Sequence, residues 1–173
     1  VIGRVLATTI LRPSNVSFTG TATHANDAYA YDADPATAGT ITAAATLSLK
    51  MGQNTYTGFG SGTRSGTLTV DGVFNTDRTD PDAVGDTTES YITVMYKTTN
   101  AGSWVSLRSY SPTLVGATGA YADKAQVVLS NVDVSQLSVL VTVSNSYVDF
   151  TGDGGSKLSA YALASIKDIN FSF

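Results

Sequence analysis

The sequence predicts an all-β chain, a two-sheet antiparallel β-sandwich of jelly-roll type with an extension strand at its N-terminus. Three observations carry this expectation. Charged residues fill only 14% of the 173 positions, well below the usual share of about a quarter. Thr, Ser, Ala, Gly, Val and Tyr make up most of the chain, the palette of pleated strands and tight turns. Segments of apolar–polar alternation then recur between clusters of Gly, Asn, Asp, Pro and Ser, and no segment shows a convincing helical period.

The elements follow in order. Residues 1–11 are strand-like, with Val1, Val5 and Leu11 on one parity and Ile2, Leu6 and Ile10 on the other. A strand apolar on both faces needs cover on both sides, and as a bare edge it would be an aggregation hazard. Two solutions are open: donation into the sheet of a neighbouring subunit, or a first strand covered within its own sandwich. The domain plan is accordingly an N-terminal strand over 1–13 and one sandwich domain over 14–173, with Ser14 to Thr21 as a hinge. The start at Val1 fits cleavage of a leader.

In "TITAAATLSLKM", Ile41, Ala43, Ala45, Leu47, Leu49 and Met51 share one face and threonines, Ser48 and Lys50 the other, which predicts a single half-buried strand. Further strands are expected at 66–74, 90–98, 103–110, 124–130 and 137–144, making about eight or nine with the C-terminal segment. In that last segment Tyr161, Leu163, Ile169, Phe171 and Phe173 share strand parity. The stretches "TGFGSGTRSG", "NTDRTDPDAVGD" and "TGDGGS" read as turns.

Composition excludes several classes. The chain has no cysteine, so it has no disulfide, thiolate metal site or cysteine nucleophile. A net charge of −4 without any Lys or Arg run makes nucleic acid a poor partner, and no apolar run is long enough for membrane insertion as a helix. His24 is the only histidine, Glu89 the only glutamate, and no nucleophile motif accompanies them, so the chain is expected not to be an enzyme.

Taken together, "LRPSNVSF", "NDAYAYDADPATAGT" and the ending "SYVDF…ASIKDINFSF" resemble the galactose-binding-like jelly rolls of carbohydrate-binding modules and of phage and bacterial surface-appendage proteins. Ala30, Tyr31, Asp32, Asp34 and Thr37 are similar to the A-x-D-G-D-x-x-T loop of that superfamily, with Ala33 in place of its glycine. The resemblance implies sugar binding or assembly, an extracellular or virion location, and a structural calcium at the loop.

Candidate site residues are few. Asp27, Asp32 and Asp34 could offer carboxylates to calcium, or could simply fold turns through their own backbone; no cofactor is otherwise required. Further acidic groups cluster at Asp77, Asp80, Asp82 and Asp86, and at Asp149 and Asp153. Tyr56 and Phe59, beside glycine-rich turns, are the aromatics expected to be exposed to a ligand, whereas Trp104, inside a strand, is expected in the core. Tyr110 and Tyr121 are also candidates. Asn15 and Asn170 begin N-linked glycosylation sequons.

Two functions remain. In the first, the chain is a structural subunit of an extracellular helical filament, pilus-like or virion-derived, in which Val1, Ile2, Val5, Leu6, Ile10 and Leu11 form the donated strand. Its partners would then be other copies of itself, since head-to-tail contacts that do not close generate filaments. The alternative is a carbohydrate-binding module or adhesin whose partner is a glycan.

Overall fold

The computed structural model describes residues 7–45, 50–78, 90–111, 118–145 and 160–173. Eleven strands form among these residues: β1 (Ile10–Leu11), β2 (Asn15–Gly20), β3 (Thr23–Ala25), β4 (Gly39–Ala45), β5 (Lys50–Thr57), β6 (Thr63–Arg78), β7 (Ser90–Lys97), β8 (Val105–Tyr110), β9 (Thr118–Asp133), β10 (Ser138–Asn145) and β11 (Ala160–Ser172). One short 3-10 helix spans Asp27–Tyr31. All pairings are antiparallel. The first sheet runs β3-β4-β11-β6-β9 with β1 added beside β11; the second runs β2-β5-β10-β7-β8. This is the expected two-sheet sandwich with a jelly-roll-like order, and its N-terminal strand pairs with β11.

The core lies between the sheets. Alternation selects it: Leu68, Val70 and Phe74 from β6, Val139, Val141 and Val143 from β10, and Ile92 and Val94 from β7 are all buried. The opposite faces of β5 and β10 carry Gln53, Thr55, Thr142 and Ser144, as period-two alternation requires.

Three expectations are corrected. The run from Thr40 to Met51 is two strands in two different sheets, β4 and β5. Ile41 and Ala43 are buried, but Met51 is 53% exposed, because the parity of β5 is set by its own sheet. Residues 15–20, expected as a hinge, are strand β2, paired with β5 from Asn15↔Thr57 to Gly20↔Gly52. The third concerns β11, where the buried residues are Ala162, Ala164 and Ile166, then Ile169 and Phe171. The register shifts between Ile166 and Asp168. Lys167 is the extra residue of a β-bulge, and the bulge moves the inward parity from even to odd.

The described part of the opening strand is anchored in its own chain. Ile10 and Leu11 lie opposite Ser172 and Phe171, Thr9 and Phe173 exchange both backbone hydrogen bonds at 2.8 and 3.0 Å, and Leu11 packs against the core. Val1, Ile2, Val5 and Leu6 lie outside the described residues.

Candidate functional site

The acidic loop uses its carboxylates to build itself. Asp32 accepts the Asp34 backbone N–H at 2.9 Å and the Thr37 hydroxyl at 2.8 Å. Asp34 accepts the Ala36 N–H at 2.9 Å. These are Asx turns, the local bonding that Asp and Asn offer wherever the chain reverses. Asp27 has separate partners: His24 Nδ1 at 2.5 Å and Asn54 Nδ2 at 2.9 Å. Asn54, fully buried, also donates to the Tyr56 hydroxyl at 3.3 Å. His24 stacks on Phe18 with centroids 3.9 Å apart. Among the described residues, no three His, Cys, Asp or Glu side chains come together as metal ligands.

Tyr56 and Phe59 are corrected by burial. They are 0% and 1% exposed, so neither presents a ring to a ligand. The segment "QNTYT", read as the approach to a turn, is the end of β5, and Tyr56 points inward with Asn54 and Gly52. Burial pushes the Tyr56 phenol well above the ordinary tyrosine range. Trp104 precedes β8, half-buried, with the Lys97 ammonium 4.9 Å from its ring centroid. Asn15 is exposed at the start of β2, and Asn170 on β11 donates to Asp168 at 2.6 Å. Asp80, Asp82, Asp86, Glu89, Asp149 and Asp153 lie outside the described residues.

The arrangement with a ligand's requirements lies at the open side of the sandwich, where β8 ends one sheet and β9 ends the other. There a cleft of about 400 Å³ is lined by Arg108, Ser109, Tyr110, Ser111, Tyr121 and Asp123. On β9, Tyr121, Asp123 and Ala125 share the inward parity. Ala125 is buried, whereas Tyr121 is 36% exposed, so the inner face opens along the strand. Asp123 Oδ2 gathers the floor, accepting from Arg108 Nε at 3.0 Å and from the Tyr110 hydroxyl at 2.9 Å. Tyr110 stacks on Phe74 with centroids 4.2 Å apart and meets Tyr121 at 5.8 Å. Burial first, then the Asp123 carboxylate, raises the Tyr110 phenol above its ordinary range, so it keeps its proton and donates to Asp123.

An exposed aromatic edge, a guanidinium, a carboxylate and two serines thus surround one opening. Sequence reading named the two tyrosines but not Arg108 or Asp123, which are brought there by the edges of two sheets. A second opening, of about 320 Å³ by Thr19, Met51, Gln53 and Ser144, has no aromatic ring or charged side chain in its lining.

No protein-family model and no curated protein matches the chain. Among solved structures, the enzymatically active domain of tailspike protein 4 from bacteriophage CBA120 is similar, with a TM-score of 0.35 and 13% identity over 88% of this chain. The chain spans 19% of that structure's length. The expectation that the chain is not an enzyme is corrected at this point: the similar structure is described as an enzymatically active domain. What stands is the fold, a two-sheet antiparallel sandwich with a jelly-roll-like strand order.

Proposed function

We propose that the chain is a saccharide-binding domain of an extracellular appendage, with the cleft between β8 and β9 as its site. The observation that carries this reading is the Tyr121 ring, partly exposed beside the Arg108–Asp123–Tyr110 network. Sugar rings present an apolar C–H face and a polar rim of hydroxyls. The Tyr121 ring suits the first, and Asp123, Arg108 and the serine hydroxyls suit the second. Desolvating a few well-placed polar groups beside an aromatic surface is what gives such clefts orientation and specificity.

Filament formation by strand donation has less support, because Thr9 to Leu11 already form their ladder with Phe171 to Phe173 of the same chain. Donation would rest on the residues before Ala7. Calcium binding at the acidic loop would have to compete with the turn bonds that Asp32 and Asp34 make.

The test is a glycan array probed with the whole chain, followed by calorimetry on any saccharide captured. Binding that weakens by about tenfold in Tyr121→Ala, equivalent to about 1.4 kcal/mol, is the expected result. A chain that captures no saccharide, or one whose affinity is unchanged by Tyr121→Ala, would falsify the assignment.

A further inference from the structure

Another cleft lies on the outer face of the first sheet, and it differs in chemistry from the one between β8 and β9. Its volume is about 290 Å³, and Arg12, Lys124, Lys167, Asp71 and Asp168 line it together with Ala33 and Pro35. The register explains the convergence. Asp168 on β11 lies opposite Asp71 on β6, which lies opposite Lys124 on β9, so three charged residues form one row across three strands. Two carboxylates directly opposite each other destabilise a sheet. Here each is spanned by a cation: Arg12 Nε reaches Asp168 at 2.9 Å and Lys124 Nζ reaches Asp71 at 3.2 Å.

Lys167 breaks the balance. It is the extra residue of the β11 bulge, exposed, and makes no ion pair or hydrogen bond with the described residues. Bulges re-aim a side chain at the cost of one ladder position. Three of the chain's ten basic residues therefore meet in one cleft of a protein whose net charge is −4. In the lining, Ala33 holds a left-handed backbone with φ of 69°, a conformation that costs a non-glycine residue about 1–2 kcal/mol and that is kept where the surroundings impose it.

We infer that this cleft binds a carboxylated saccharide, through the Lys167 ammonium on the sugar's carboxylate and through Asp71 and Asp168 accepting the sugar's hydroxyls. A ligand here needs an anion for the uncommitted cation and hydroxyls that reach the lone pairs left on Asp71 and Asp168 beside their bonds to Lys124, Arg12 and Asn170. Phosphate polymers meet only half of this requirement, since Asp71 and Asp168 repel a dense run of negative charge. Neutral sugars leave Lys167 unused. Residues Asp123 and Lys124 are neighbours on β9 and point to opposite faces of the strand, so this cleft and the aromatic one are separate surfaces that can be tested apart.

The experiment is calorimetry of the whole chain with trigalacturonic acid, sialyllactose and lactose, repeated in Lys167→Gln, Lys167→Arg and Tyr121→Ala. The expected result is that at least one acidic sugar binds more tightly than lactose, that Lys167→Gln weakens it by about tenfold, and that raised salt weakens it in the wild type. Lys167→Arg should keep binding, and Tyr121→Ala should leave it unchanged. Lys167 is exposed, so neither change at this position disturbs the core. Equal affinity for lactose and the acids, no binding of either acid, or an acid affinity indifferent to Lys167→Gln overturns the inference. Loss of acid binding in Tyr121→Ala also overturns it, by moving the ligand to the other cleft. Loss of neutral-sugar binding alone in Tyr121→Ala bears on the aromatic cleft and leaves this one standing.

Discussion

The acidic loop around Asp27 to Thr37 and the cleft between β8 and β9 are made of similar parts, carboxylates beside tyrosines, yet they use them in opposite ways. In the loop, Asp32 and Asp34 bond groups two to five residues away, and Asn54 and Tyr56, behind Asp27, are buried. In the cleft, Arg108 and Asp123 come from the edge strands of two different sheets, and Tyr121 keeps part of its ring in solvent. Carboxylates close together in sequence fold their own backbone. Groups brought together by sheet edges leave faces that a ligand can use.

The sharpest way to break this comparison is at the aromatics. Tyr56→Ala should cost about 3–5 kcal/mol of stability, the usual range for emptying a large aromatic position in a core, measured by urea unfolding. A loss near zero would mean that Tyr56 is not a core residue and would return it to the list of ligand contacts. At the next level, Asp32→Ala should cost about 1–2 kcal/mol through the loss of its turn bonds while leaving saccharide affinity unchanged. Weakened saccharide binding with stability preserved would make the loop a site and not a scaffold.

Tyr110→Phe should cost about 0.5–1.5 kcal/mol, the net worth of one hydrogen bond, and should also lower saccharide affinity by freeing Asp123 from its alignment. Unchanged affinity would sharpen the assignment to Tyr121 and Arg108 alone. The same phenols set an alkaline limit. Tyr56 and Tyr110 both have raised folded-state values, so above the ordinary tyrosine value of about 10 the unfolded chain releases protons that the folded chain retains. Their contribution is full below that pH and declines as pH rises through the folded-state range. Unfolding followed between neutral pH and strong alkali should show stability falling from about pH 10, less steeply in Tyr110→Phe. Parallel curves would mean that the Tyr110 phenol titrates alike in both states.

How much of this was legible beforehand follows from the range of each signal. Strands β6, β7 and β10 were readable because alternation repeats every two residues through most of each segment, whereas in β11 the bulge at Lys167 switches the inward parity. The turn character of "DADPAT" was readable too, since Asp side chains bond their own backbone. Misreadings occurred where alternation ran unbroken through a change of sheet, as between Ala45 and Lys50, or where Gly58 and Gly60 made the end of a buried strand look like an exposed turn. Arg108 and Asp123 carried no motif at all, because fifteen residues separate them and only the facing sheet edges bring them together.

The sequence by itself determined the all-β class, the faces of most strands and the positions of the turns, since these depend on side chains a few residues apart. Which sheet each strand joins, the own-chain pairing of Ile10 and Leu11, the bulge that turns out Lys167 and the meeting of β8 with β9 were decided by the tertiary structure. Alternation states which side of a strand is apolar, but it names no partner strand. Partners are chosen when both sheets close over one core, and that choice sets the clefts.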